Sequence, residues 1–204
     1  MNTCPHCNVG LTQTPKRRTA CPSCHRPILV RKGKLCTEEE ARALDYCSPL
    51  GIEPLELYRT REELSAEFGC RAGYADTAWR LMHRKLEKTR DWNERSGIYW
   101  HMSRFLWDEK KDYLHVRQQA VRMTLESYKK SAKEGLLDPS EWRFTIISDE
   151  TSCPACRQLH NRLFTFEEFA QTLPLPVADC THEKTTERQR GWCRCTLGLT
   201  RLSP

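Results

Sequence analysis

Residues 1–36 contain no aspartate and no glutamate, although the chain of 204 residues carries 27 acidic side chains. Seven cations stand in that stretch: Lys16, Arg17, Arg18, Arg26, Arg31, Lys32 and Lys34. The whole chain has a formal charge of +6, so residues 37–204, with 26 basic against 27 acidic groups, are almost neutral. Such a segment predicts contact with a polyanion, most simply DNA or RNA, through Lys16, Arg17, Arg18, Arg31, Lys32 and Lys34. Phosphate contacts of that kind position a partner without reading its sequence. The plain alternative is a solvated basic loop on a small module. Also lacking are a run of about 18 apolar residues that could cross a bilayer and a basic-plus-apolar leader. The chain is therefore expected to be cytoplasmic, with no membrane partner.

Cysteine, by contrast, is abundant. There are 12, and in a reducing compartment they favour metal ligation over disulfides. Eight form close pairs, 4/7, 21/24, 153/156 and 193/195, while Cys36, Cys47, Cys70 and Cys180 stand alone. The first two pairs are doubled Cys-Pro-x-Cys knuckles, Cys4-Pro5-His6-Cys7 and Cys21-Pro22-Ser23-Cys24. Four thiolates so spaced suit a tetrahedral structural Zn²⁺, and residues 1–36 read as a zinc ribbon. Asn8 and His25 follow the knuckles where such turns need φ > 0, which Asn and His tolerate better than most residues. A redox dithiol is the competing reading.

The second cluster supplies Cys153, Cys156, Cys193 and Cys195 as ligands of a second Zn²⁺, two ions per chain in all. Alternate residues of a Cys-x-Cys pair point to one face at strand geometry, so Cys180 or His182 is a substitute fourth ligand. His160 is a further candidate. Buried free thiols packing as small hydrophobes are the alternative.

The periodicity predicts a mostly α chain: a small N-terminal β zinc ribbon (1–36), a central helical bundle (37–137) and a C-terminal small α+β cysteine-rich module (138–204). A β-hairpin is expected over 27–35, turning near Gly33. Thr37 before Glu38-Glu39-Glu40 is a helix N-cap, and Thr60-Arg61-Glu62-Glu63 fits a capping box opening a short helix to about Phe68. Pro49, Gly51 and Pro54 mark a loop between them. Apolar stripes at helical spacing over 71–134 predict two or three antiparallel helices, with Gly135 as a stop. That spacing makes Trp79, Trp92, Tyr99, Trp100, Phe105, Trp107 and Tyr113 core residues rather than base-stacking groups. His83, His101 and His115 read as surface or cap positions. Residues 142–148 alternate as a strand, Thr165 opens another helix, and 196–199 are strand-like.

The order Asp149-Glu150-x-x-Cys153-x-x-Cys156-x-x-Leu159-x-x-x-x-Phe164, then a proline-rich stretch, then Cys193-Arg194-Cys195, resembles the cysteine-rich C-terminal motif of phage head morphogenesis proteins of the Mu F-like kind. The resemblance covers about residues 142–200 and implies a minor capsid or portal-associated role. Two departures stand out. The His that usually precedes Cys-Arg-Cys is replaced by Gly191-Trp192, and the N-terminal ribbon lies outside that pattern.

Three functions follow. The first is a non-catalytic two-zinc adaptor, its ribbon on nucleic acid and its helical region on a protein. The second is a phage head assembly protein. The third is a small zinc-stabilised nuclease using Asp149, Glu150 and His160. Sites filled entirely by protein ligands are closed and structural, which favours the non-catalytic readings.

Overall fold

The computed structural model describes residues 2–183 and 191–202, which form seven α-helices and six short strands. Helix dominates, as expected. By packing, the chain falls into two units, Met1–Lys85 and Leu86–Pro204.

In the first unit, strands β1 (Thr19–Ala20), β2 (Pro27–Arg31) and β3 (Lys34–Cys36) make an antiparallel sheet in that order. Lys32 and Gly33 join β2 to β3 with φ of 48° and 77°, the double left-handed turn whose twist suits a two-residue hairpin. Thr37 caps α1 (Glu38–Cys47), its side chain accepting from the Glu40 amide, and three glutamates occupy the first turn where the helix dipole favours them.

Helix α2 runs Pro54–Phe68, so the helix expected to open at Thr60 begins six residues earlier. Pro54 sits at the first helical position, where a missing N–H costs nothing, so this proline starts a helix rather than marking a loop. Thr60 is buried inside α2 and accepts a hydrogen bond from Arg84 Nη1 at 3.1 Å. Gly69, at φ 67°, ends α2. Helix α3 (Tyr74–Lys88) buries Ala78, Leu81, Met82 and Leu86 along one stripe.

The second unit begins with the hairpin of α4 (Trp92–Asp108) and α5 (Leu114–Lys133). Asp91 caps α4 by accepting from the Glu94 amide. Ser96 Oγ bonds the Ala120 carbonyl and Thr124 Oγ1, both at 2.8 Å, which fixes the antiparallel pairing. Strand β4 (Trp142–Ile147) lies between β5 (Leu163–Phe164) and β6 (Thr196–Arg201), all antiparallel. Short helices α6 (Pro154–Gln158) and α7 (Phe166–Thr172) follow β4 and β5, and α7 opens with a complete Thr165/Glu168 capping box.

Dividing the chain at 36/37 and 137/138 follows composition, whereas packing groups the segments differently. β1–β3 share a unit with α1 and α2, and one reason is the bidentate Arg31–Asp45 pair at 2.7 and 2.8 Å. Val121 and Leu125 of α5 share a core with Phe144, Ile146, Phe164, Phe169 and the C-terminal cysteines. Of the seven aromatics expected in the core, Phe105, Trp107 and Tyr113 are buried, whereas Trp79, Trp92, Tyr99 and Trp100 are half-buried.

Candidate metal centres

Each N-terminal knuckle repeats one backbone pattern. The Cys4 amide donates to the Val9 carbonyl and the Asn8 amide to the Cys4 carbonyl, both at 2.9 Å. Cys21 with Arg26, and His25 with Cys21, reproduce these bonds at 2.9 Å. The turn demands a left-handed residue at its end, and Asn8 and His25 have φ of 59° and 57°. Amides also face sulfur: His6 N donates to Cys4 Sγ at 3.4 Å and Cys24 N to Cys21 Sγ at 3.5 Å.

The knuckles bring Cys4, Cys7, Cys21 and Cys24 together, all four sulfurs within 4.8 Å of one another. Cys4–Cys24 are 3.8 Å apart and Cys7–Cys21 3.7 Å. A disulfide would need about 2.05 Å. A tetrahedral ion with metal–sulfur bonds of about 2.3 Å sets its ligands about 3.8 Å apart. The two pairs are opposite edges of such a tetrahedron. Without a cation the sulfurs ionise unequally. The Cys24 amide holds Cys21 down at about 6 against its burial. Cys24, though lowered by the Arg26 amide, is pushed up to about 11 by burial and its sulfur neighbours. A divalent ion bound there would remove that conflict by stabilising all four thiolates.

In the second unit the α6 turn presents Cys153 and Cys156, the segment after α7 presents Cys180, and the approach to β6 presents Cys193 and Cys195. Cys153, Cys156 and Cys180 lie within 4.8 Å of one another, as do Cys156, Cys193 and Cys195. Cys153–Cys180 are 3.8 Å apart and Cys156–Cys193 3.9 Å, again close to the tetrahedral edge. The Val177 amide donates to Cys193 Sγ at 3.3 Å. Thiol donation from Cys180 and Cys195 holds Cys193 far below an ordinary thiol, and Cys180 and Cys195 are raised in return. Burial raises Cys153, but the amides of Thr181 and Cys156 outweigh it and bring it to about 7. Burial pushes Cys156 up to about 12.

Of the other candidates, His182 joins neither sulfur group. Its Nε2 is buried, 3.3 Å from Glu183 Oε1 but outside hydrogen-bond geometry. His160 is exposed, and its Nδ1 accepts from the Ser148 amide at 3.1 Å. Asp149 accepts from Thr151 N, Thr151 Oγ1 and Ser152 Oγ and pairs with Arg194, while Glu150 is exposed. Asp149 and His160 are thus engaged locally, as a loop clasp and an amide acceptor.

The six basic residues separate into two sets. Arg31 is clamped by Asp45, Arg18 pairs with Glu38 at 2.9 Å, and Lys32 lies 3.5 Å from Glu53. Lys34 lies 3.8 Å from the buried Glu40 and 3.5 Å from the centroid of the Tyr58 ring. Lys16 and Arg17 are exposed and line a groove of about 450 Å³ together with Arg18, residues 11–15, Thr19, Ala20 and Pro22.

Arg117 was not singled out from the sequence. It is 4% exposed, and its Nη2 donates to the Cys195 carbonyl at 3.2 Å. A signal was available: Leu114, Arg117, Val121 and Leu125 fall at helical spacing, so an arginine stands on an apolar stripe. No family model, curated protein or solved structure matches the chain.

Proposed function

We propose that the chain is a non-catalytic binding protein organised by two zinc–thiolate centres, with a polyanion-contacting loop in its N-terminal unit. The observation that carries this reading is the recurrence, at both ends of the chain, of two separate sulfur pairs spaced 3.7–3.9 Å apart. Zinc fits because thiolate-only, four-coordinate sites are its usual structural setting. With every position filled by sulfur, no open coordination site is left to activate water, which speaks against a nuclease.

Nucleic acid remains the partner proposed for the basic segment, its contacts concentrated on Lys16 and Arg17 because the other four cations already face carboxylates. The test is a mobility shift on unrelated DNA and RNA sequences over a salt series. Two or three phosphate contacts on duplex DNA imply a log–log salt slope of about −2 to −3. Reversing Lys16 and Arg17 to Glu should weaken binding to all sequences alike, with zinc content unchanged. No binding by the wild-type chain at low salt would remove nucleic acid from the proposal.

A phage-assembly role is the second reading. What favours it is that Asp149, Cys153, Cys156, Cys193, Arg194 and Cys195, which carry the resemblance, converge on one locus. Portal and capsid genes beside this one would support it, and their absence would count against it.

A further inference from the structure

We propose that the C-terminal centre is a dianionic four-thiolate site formed by Cys153, Cys156, Cys180 and Cys193, that Arg117 is its buried counter-ion, and that Cys195 stands beside it as an unligated thiol. The inference rests on the reading that a divalent ion occupies this centre.

Two observations select the ligands. The close pairs Cys153–Cys180 and Cys156–Cys193 share no residue, so together they supply four sulfurs, in pairs spaced like Cys4–Cys24 and Cys7–Cys21 at the other centre. Cys193 and Cys195 both lie outside the group of Cys153, Cys156 and Cys180, but Cys193 is the one that closes a pair with Cys156 at 3.9 Å and accepts from the Val177 amide at 3.3 Å. Amides converge on the chosen set: Val177 N on Cys193, the Thr181 and Cys156 amides on Cys153, and the His182 amide on Cys180. Such donors stabilise thiolate over thiol.

The counter-ion follows from a mismatch in burial. An arginine keeps its proton in a protein, and burying its charge without an anion is strongly unfavourable. Arg117 is buried, its Nε has no hydrogen-bond partner, and no carboxylate among the described residues pairs with it. Its guanidinium donates to the Cys195 carbonyl at 3.2 Å. Burial works against its charge, and the groups that favour it include the thiols of Cys193 and Cys195. Four thiolates on a divalent ion leave a charge of −2, and the guanidinium neutralises half of it. Arg194, the other arginine beside the centre, is taken by Asp149. Arg117 is accordingly a positioning residue that acts on the metal through charge.

The test measures zinc per chain and zinc affinity, by competition with a chromophoric chelator, on full-length wild type, Arg117→Met, Arg117→Lys, Cys180→Ser and Cys195→Ala. Cys180→Ser should lose one ion and so identify the C-terminal binding step, while Cys195→Ala should retain two. Arg117→Met should weaken that step by about 10–100-fold, the usual effect of removing an outer-shell partner, and leave the N-terminal step unchanged. Arg117→Lys should recover most of the loss, because it keeps the charge and changes the shape. Unaltered C-terminal affinity in a folded Arg117→Met, loss of an ion from Cys195→Ala, or Arg117→Lys no better than Arg117→Met would each overturn the proposal. If Arg117→Met does not fold, the lysine variant decides: near-wild-type affinity supports the counter-ion and a loss as large as Cys180→Ser rejects it. A wild-type chain holding one ion would instead overturn the two-centre reading on which this inference rests.

Discussion

Tyr113 donates its hydroxyl to the Gly191 carbonyl at 2.6 Å, joining the start of α5 to the residue that precedes Trp192 and Cys193. Next to that bond, the Trp192 ring sits among Trp100, Trp107 and Tyr113 at centroid distances of 5.5, 6.1 and 5.2 Å. The helical hairpin therefore holds the last cysteine pair in place through an aromatic clasp.

Trp192 is 1% exposed, so Trp192→Ala should destabilise the C-terminal unit by about 3–5 kcal/mol, the range for a large buried aromatic. Chemical denaturation followed by circular dichroism measures this. A change below about 1 kcal/mol would mean the clasp contributes little.

Gly191 is required for a different reason. A Cβ there would lie 2.4 Å from the Cys180 carbonyl oxygen and 2.6 Å from the Thr181 carbonyl carbon, both backbone atoms. Gly191→Ala should push apart the strands of chain that carry Cys180 and Cys193. The expected cost is about 1–3 kcal/mol of overpacking, with zinc falling from two per chain toward one. An alanine variant with full zinc and wild-type stability would show that the two segments can separate freely.

Metal and folding should be coupled at the N-terminus. Cys4→Ser or Cys21→Ser should leave one ion per chain and melt the sheet, because among the described residues of that segment only Cys4, Cys21, Ile28 and Cys36 are fully buried apolar groups. Arg31 and Asp45 tie the sheet to α1, so part of the helical signal of residues 38–47 should go with it. Amide hydrogen exchange would locate the loss, and protection unchanged over residues 2–36 would contradict it.

Asp149 gives a pH-dependent readout. Hydrogen bonds from Thr151, together with Ser152 and the nearby Arg194 guanidinium, hold its carboxyl below the usual range against the opposing effect of desolvation. A depressed folded-state value means stabilisation that is complete above the unfolded value of about 3.9 and lost as pH falls through the lower folded value. The carboxyl carbon resonance of Asp149 should titrate below about 3.9, and Arg194→Gln should move the midpoint upward. A wild-type midpoint at or above that value would rule out the clasp.

Local chemistry was the legible part of this chain. The knuckles, the left-handed Asn8 and His25, the Thr37 and Thr165 caps and the turn at Gly33 each depend on residues a few positions apart, so spacing suffices to find them. Pro54 misled because a proline at a helix start and one in a loop look alike when only neighbours are read. The paired state of Arg18, Arg31, Lys32 and Lys34 depends on carboxylates up to 21 residues away, which no local pattern reports. Cys180 could be named only as a substitute, because its place beside Cys153 depends on the path of the chain after α7. Arg117 illustrates the same limit, since its meaning comes from sulfurs more than 70 residues away.

The exposure of the sulfurs sets an order of events. Cys7 is the exposed member of its tetrahedron, whereas all five C-terminal cysteines are buried. A chelator or peroxide could approach an ion held at the N-terminal centre along the Cys7 edge without any opening of the fold, but would have to wait for local unfolding to reach one held at the other. Ions bound at the two centres should thus differ in lifetime more than in affinity. Preparations handled under oxidising or chelating conditions would lose their sheet first and keep the aromatic-clasped centre longest.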